Sequence, residues 1–313
     1  MAATIHEKRK NGLALDRKKK RLLFYLSIVI LPTIQFCILY LYVNFNTIIL
    51  GFKNYEVIPG QLGYKVVFAG LENFKVAWRV LTSETGMLKN SLLLFVWNLF
   101  VGTTLALVFS YYIYKKYPCS TVFRVLLFMP QIVSGLIFGL LFKYVVGEVY
   151  MALFSQELSL LENVSTKFGT VLFYEIWIGF GVNVIMYTGA MSNINESIVE
   201  SAHLDGAGLL REFVYITLPM IYNTLTTFII VQISSIFTAQ MHLYTLFGTG
   251  ANELSTFGYY LYLQALNSDV VVTKTGYLSY PQLSALGFII SCIMIPIVLL
   301  TRKLMEKFGP SID

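Results

Sequence analysis

Four acidic side chains lie close together in one polar stretch between two apolar runs. The stretch from about residue 192 to 216 contains only one basic residue of the Lys or Arg type, Arg211, whereas a simple connecting turn would be short and basic. The acids are Glu196, Glu200, Asp205 and Glu212. Carboxylates accept strong hydrogen bonds from charged donors, so this stretch carries chemistry that a simple turn does not need.

The same stretch carries the signals of two helices with a turn between them. Asn193 and Asn195 are candidate N-caps for a helix from Glu196 to Leu204. Gly206 and Gly208 permit a sharp reversal that a Cβ atom would hinder. Pro219 is expected at the start of the next membrane helix, where proline is tolerated. We therefore predict a compact helix–turn–helix, with an amphipathic surface connector as the alternative.

A second set of side chains could hydrogen-bond a solute because these polar residues interrupt apolar runs. They are Gln131, Ser134, Asn183, Gln232, Ser235 and Gln240. Polar groups inside a membrane are costly, so they face a cavity or another helix. Gln232 and Ser235, three residues apart, share one helix face. Amides and hydroxyls beside aromatic rings suit a sugar, whereas helix–helix hydrogen bonding is the alternative for each residue.

The sequence lacks the residues of a catalytic, metal or nucleotide site. No G-x-x-x-x-G-K-[ST] motif is present, and His6, His203 and His242 are too scattered to form a cluster. The three cysteines have no metal-ligand spacing. Glu175, the one acid that we place inside a membrane segment, is expected at a pore mouth. We predict a non-catalytic chain without a metal or cofactor of its own.

The composition indicates a membrane protein. Of 313 residues, 56% are hydrophobic and 13% are charged, about half the charge of an average soluble domain. This argues against a soluble enzyme, a disordered regulator and a nucleic-acid binder. The net charge of +6 is concentrated near the N-terminus, because eight of the 23 Lys and Arg residues lie in the first 21 positions.

Six apolar stretches are long enough to span a bilayer, which requires about 20 residues. They cover approximately 22–44, 88–113, 124–146, 168–191, 217–240 and 283–303. We predict an all-α polytopic membrane protein, with a kink near Pro32 in the first helix. The predicted divisions are a basic tail (1–21), the first span (22–44), an outer segment with an amphipathic helix from Leu71 to Val80 (45–87), a five-helix core (88–303) and a second tail (304–313).

The distribution of Lys and Arg predicts the orientation of these spans. With the N-terminus inside, the cytoplasmic segments hold fifteen such residues and the opposite side holds seven, among them Lys274. Cytoplasmic loops carry the excess of basic residues in membrane proteins. We therefore expect both termini in the cytoplasm.

The residue pattern of the polar stretch resembles the EAA signature of ABC importer permeases. Glu200-Ser201-Ala202, then Gly206, then Ile216-Thr217-Leu218-Pro219 reproduces E-A-A, three residues, Gly, nine residues, I-x-L-P. Ser201 replaces the first Ala of that pattern, and Asn195 stands where relatives usually have Pro.

Further segments resemble the carbohydrate-type permeases, in particular the first permease of the maltose/glycerol-phosphate pair. They are Gly70 to Phe74 (G-L-x-N-F), Phe123 to Pro130 (R-x-L-L-x-x-P), Trp177 to Phe180 (W-x-G) and Leu243 to Gly250, which lacks the final Pro of its pattern. Together they extend the resemblance over about residues 20–305.

The resemblance implies a type I ABC importer permease fold and a set of partners. These are a second homologous permease, two cytoplasmic ATPase subunits that bind ATP and Mg, an extracellular solute-binding lipoprotein, membrane lipid and a carbohydrate substrate, in a bacterial cell membrane. It implies that the loop 192–216 is the coupling helix. Its contact residues would be Glu200, Ser201, Ala202, Asp205 and Gly206.

The resemblance also places four residues on sugar-site positions of the maltose-type relative. They are Gly179, Gln232, Ser235 and Ala239, and polarity adds Gln131, Asn183 and Gln240. That relative has an Asn-rich stretch where this chain has residues 233–240, so the substrate is expected to bind differently.

The alternative function is an ion-gradient-driven secondary transporter. Such a protein would show inverted repeats, broken helices and ionisable residues at mid-membrane. Glu175 alone fits that pattern poorly. An intramembrane enzyme would need an embedded catalytic cluster, which the sequence does not show.

Overall fold

The computed structural model describes residues 2–58, 63–269 and 276–310, with side chains from residue 17 onward. The expected outer-side Lys274, the first 16 side chains of the basic tail and the last three residues of the second tail lie outside the described residues. The described part of the chain is mostly helical. Five helices are long and apolar enough to span a membrane, and the count is six when a bent helix pair is taken as one span. The predicted six-span, all-α membrane fold is confirmed.

The first span is one long helix whose described side chains pack only at its C-terminal end. α1 runs from Ala2 to Phe36 and continues through a π-helical segment, Cys37–Tyr42, into Val43–Leu50. Pro32 lies inside it without ending it. From residue 17 to Thr47 its side chains are exposed, whereas the backbone carbonyl of Thr47 accepts a hydrogen bond from the Ser284 hydroxyl of the last helix.

A β-hairpin and a short helix follow. β1 (Lys53–Val57) pairs antiparallel with β2 (Tyr64–Phe68), an element that the sequence analysis missed. α2 (Glu72–Ser83) confirms the predicted amphipathic helix. Its apolar face, with Phe74, Ala77 and Val80, packs into the cluster around the last helix.

The second span is continuous, but the predicted third span is divided. α3 comprises Thr85–Trp97, a π-helical segment Asn98–Gly102 and Thr103–Tyr114. The stretch 124–146 was expected to be one helix. Instead α4 (Ser120–Ile132) ends in the extended residues Val133 and Ser134, and α5 starts anew at Gly135 and continues to Phe154. Pro130, one residue from the predicted Gln131, removes a backbone donor from the last turn of α4, which favours a break there.

The fourth span and the helices after it contain the predicted coupling loop. α6 (Val164–Ser192) is the most buried span. α7 (Glu196–Leu204) and α8 (Leu209–Met220) form the predicted helix–turn–helix, and α9 (Tyr222–Ser234) follows at a bend of 71°. The expectation for Pro219 was wrong, because it lies in the last turn of α8 and the next helix starts after the bend, at Tyr222.

The remaining chain forms a group of short helices and the last span. α10 (Leu243–Phe247), a short 3₁₀ turn (Asn252–Leu254) and α11 (Phe257–Asn267) precede α12 (Tyr280–Phe308). A capping box between Ser279 and Gln282 starts α12.

Three apolar clusters hold the spans together. One joins α3, α6 and the start of α9 around Tyr187 and Met191. A second joins α5, α6 and α10 around Tyr174, and the third surrounds Leu286 of α12. α6 belongs to two of the three, which explains why it is the best-buried span.

Candidate coupling loop and solute pathway

Local hydrogen bonds cap and stabilise the helix–turn–helix formed by α7 and α8. The Asn195 side chain accepts a hydrogen bond from the Ser197 backbone at 3.1 Å, so it caps α7 as predicted. Asn193 instead ends α6. After α7 the amides of Gly206 and Ala207 donate to the carbonyls of His203 and Ala202 at 3.0 and 2.9 Å. Gly206 has φ of +77°, a left-handed conformation that only glycine adopts without strain.

The predicted coupling residues divide between two faces of this loop. Glu200, Ser201, Asp205 and Gly206 are exposed. Ala202 is only 9% exposed and lies on the inner face of α7 with Val199, so it supports the loop from inside. Val199 and Ala202 are three positions apart and therefore share a face of α7. The contact between Ala202 and an ATPase subunit stays a prediction.

The outer face of the loop also carries large apolar side chains that the sequence analysis did not single out. Leu204 is 89% exposed, Leu210 80% and Tyr215 74%. We call these three residues the apolar docking surface. An exposed apolar patch rimmed by acids is typical of a protein–protein contact.

One of the four acids of the loop, Glu212, is buried and paired within the chain. Glu212 is completely buried, and its carboxylate oxygens lie 2.5 Å from the Lys115 ammonium and 2.8 Å from His203 Nε2. Burial alone would raise the pKa of Glu212, but the hydrogen bonds from Lys115 and His203 hold it below its ordinary value. Sequence pattern gave no sign of this burial, because Lys115 is 97 positions away.

The predicted pathway residues on α6 remain accessible in the single chain. Gly179 is exposed and Asn183, one turn later, is half-buried. Gln131 approaches the same site from α4 and donates a hydrogen bond to the carbonyl of Ile178. The structure thus brings Gln131 beside Gly179, in the helix–helix bonding that was the alternative for this residue.

The solute-pathway residues that were predicted C-terminal to α8 form a second group. The Gln232 amide donates to the Thr103 hydroxyl of α3 at 3.3 Å, and the Ser235 hydroxyl bonds back to the Gln232 carbonyl. The Ala239 carbonyl accepts from Thr256 at 3.4 Å. The amide oxygens of Gln232 and Gln240 are buried without a hydrogen-bond partner among the described residues. Buried acceptors without a partner are uncommon in folded proteins.

Glu175 is paired, which the sequence analysis did not predict. Its carboxylate lies 2.8 Å from Nδ1 of His242, just outside the fifth span. Partial burial would lower the pKa of His242, but the hydrogen bond from Glu175 raises it. The sequence had suggested no role for His242. Glu175 is also not the one acid inside a membrane segment, because Glu148 lies within the span formed by α5.

No group of three or more His, Cys, Asp or Glu side chains positioned to hold a metal ion occurs among the described residues. The buried carboxylates already have partners, since Glu212 pairs with Lys115 and Glu175 pairs with His242.

The sequence matches a known family over most of its length. Residues 98–313 match the binding-protein-dependent transport system inner membrane component family.

Similar proteins of known function include two from Bacillus subtilis (strain 168). The polygalacturonan/rhamnogalacturonan transport system permease protein YteP is 29% identical over 93% of this chain and 92% of its own length. The arabinooligosaccharides transport system permease protein AraP is 24% identical over 88% of this chain and 86% of its own length.

The fold is similar to that of a solved bacterial ABC transporter involved in the import of the acidic polysaccharide alginate. That match has a TM-score of 0.71 at 20% identity and covers 95% of this chain and 99% of the other. It supports the fold alone.

Proposed function

The chain belongs to the family of binding-protein-dependent transport system inner membrane components, and we propose that it forms, with a second homologous permease, the membrane pathway of a carbohydrate importer. In this proposal two ATPase subunits bind ATP and Mg and drive transport, whereas this chain performs no hydrolysis. An extracellular solute-binding lipoprotein delivers the substrate.

The observation that carries the proposal is the geometry of the helix–turn–helix. α7 and α8 expose Leu204, Leu210 and Tyr215, and the carboxylates of Glu200 and Asp205 are exposed in the same loop. A cleft on an ATPase subunit can cover this mixed surface, because the apolar residues provide contact area and the acids fix the orientation of the contact. Movement of that subunit then moves α7.

Carbohydrate polymer fragments are the substrate class that the similar permeases favour. Their names describe polygalacturonan, rhamnogalacturonan and arabinooligosaccharide transport. Half-buried Asn183 offers a hydrogen-bonding side chain for sugar hydroxyls, beside the exposed backbone at Gly179. The pathway forms where these surfaces face the second permease.

Both termini lie in the cytoplasm in this proposal, and so does the docking surface. The excess of Lys and Arg on that side supports this orientation. Glu175 alone was a poor fit to the alternative of a secondary transporter, and its carboxylate is paired with His242.

Loss of the ATPase partner on disruption of the docking surface tests the proposal. We expect Leu204→Arg to reduce co-purification of the ATPase subunits while the two permeases stay together. Leu158→Arg, at an exposed leucine of the outer connection, is the matched control and should retain the ATPase. Undiminished ATPase recovery with Leu204→Arg would contradict the docking assignment.

A further inference from the structure

A buried carboxylate joins three separate segments at the base of the coupling loop. Glu212 of α8 contacts Lys115, the residue directly after α3, and His203 of α7. Its side chain has no exposure, whereas Glu200 and Asp205 are exposed. A charged side chain is almost never fully buried unless it is paired. We call Glu212, Lys115 and His203 the loop clamp.

Aromatic side chains of α3 surround the clamp. The Lys115 ammonium lies 5.7 and 5.5 Å from the ring centroids of Tyr111 and Tyr114. The Tyr111 hydroxyl donates to the Leu209 carbonyl at 3.2 Å, and its ring packs against Phe213 with centroids 4.8 Å apart. The end of α3 therefore contacts both ends of the first turn of α8, through a hydrogen bond at Leu209 and ring packing at Phe213.

The helix that receives these bonds also contacts the candidate solute pathway. Thr103 of α3 accepts the hydrogen bond from Gln232. Ser110 of α3 donates to the Val184 carbonyl of α6 at 3.1 Å. α3 thus connects the loop clamp at one end with Gln232 of α9 and with Val184 of α6, the neighbour of Asn183, further along.

A buried ion pair adds little net stability but strongly disfavours arrangements that leave one charge alone. Such a pair fixes relative position more than it stabilises the fold. We propose that Glu212 is a positioning residue that makes α7 and α3 move as one body, so that displacement of α7 by the ATPase reaches the solute pathway. This inference rests on the proposed function for its transport consequence.

The physical link can be tested on the full chain alone. In detergent, Glu212→Gln should raise backbone amide hydrogen exchange in α7 and the first turn of α8 and leave α12 unchanged. Glu196→Gln, at an exposed acid of α7, is the matched control and should leave α7 unchanged. Equal exchange in α7 for Glu212→Gln and the parent would overturn the clamp.

The transport consequence is tested in the reconstituted complex, as uptake per ATP hydrolysed. We expect Glu212→Gln to lower this ratio about tenfold, within the range of typical coupling between sites. Because the ratio does not depend on the amount of folded complex, a merely structural role would not change it. Lys115→Arg preserves the pair and should keep the parent ratio.

A second variant keeps the test decisive if Glu212→Gln folds poorly. Glu212→Leu combined with Lys115→Met removes both charges, which buried pairs tolerate. It should assemble and hydrolyse ATP but show the same reduced ratio, and a parent-like ratio in it would overturn the proposal. Absence of ATP-driven uptake by the parent complex would instead refute the proposed function and leave the exchange result to decide the clamp.

Discussion

At the residue scale, the two glycines of the loop differ in one respect. Gly206 and Gly208 both have open space where a Cβ would lie, but Gly206 has φ of +77° and Gly208 has φ of −73°. A side chain is therefore excluded at Gly206 by backbone conformation and not by crowding.

This difference gives a matched pair of substitutions. Gly206→Ala should strain the turn by about 1–2 kcal/mol and reduce uptake per complex, because the left-handed region is unfavourable for alanine. Gly208→Ala should behave like the parent. Initial uptake rates at equal complex levels measure the effect. Equal rates for the two variants would show that the turn conformation is irrelevant.

The buried carboxylate makes a pH prediction at the same scale. The pKa of Glu212 is lowered in the folded chain from its ordinary value of 4.5. Its contribution to stability is therefore complete above pH 4.5 and is lost as the pH falls through the lowered folded-state pKa.

We accordingly expect Glu212→Gln to destabilise the chain by about 3 kcal/mol near neutral pH. The difference in unfolding midpoint between parent and variant should shrink as the pH falls below 4.5. Thermal unfolding in detergent across this pH range checks it. A difference that grows with acidification would contradict the sign of the pKa shift.

At the scale of elements, α4 and α6 cross closely at Gly181. A Cβ there would meet the backbone of Leu127 and Phe128 well inside contact distance. Backbone atoms of a neighbouring helix cannot move aside as a flexible side chain can.

Gly181→Ala should therefore separate α4 from α6 and lower the unfolding midpoint. Gly169→Ala is the matched control on the same helix, because nothing lies within 4 Å of its Cβ position. Alanine favours the helix by about 1 kcal/mol over glycine, so the control should be neutral or slightly stabilising. Equal midpoints would refute the close crossing.

A native cysteine tests the orientation of these elements. Cys119 is exposed in the connection between α3 and α4, which we propose to lie in the cytoplasm. A membrane-impermeant maleimide should label it in inside-out vesicles and not in intact cells.

Ser155→Cys provides the opposite reporter, in a Cys119→Ser background. Ser155 is exposed in the outer connection after α5 and should be labelled in intact cells. Labelling of Cys119 from outside would invert the topology.

The sequence predicted some elements well and others poorly for identifiable reasons. Long apolar runs located five spans and placed the third too early in the chain, and Gly206 and Asn195 predicted the turn and cap of α7 correctly. The hairpin joins segments that are close in sequence, and the break after Ile132 follows Pro130, so both had local signals. The burial of Glu212 and the hydrogen bond from Gln131 to the Ile178 carbonyl depend on residues far apart in the sequence and had none.

At the scale of the whole molecule, the described residues leave large surfaces that no other described part of the chain covers. Leu204 and Leu210 are exposed at the loop, and α1 is exposed from residue 17 onward. These features fit a subunit that completes its pathway and its docking site with partners.

The most direct test of this account is uptake into proteoliposomes that contain this chain, the second permease and the ATPase subunits, with the binding protein outside. Labelled oligogalacturonides and arabino-oligosaccharides are the probes. We predict uptake that requires ATP on the ATPase side and is unaffected by ionophores. Uptake that proceeds without ATP and collapses when ionophores dissipate the ion gradients would contradict the account and support a secondary transporter.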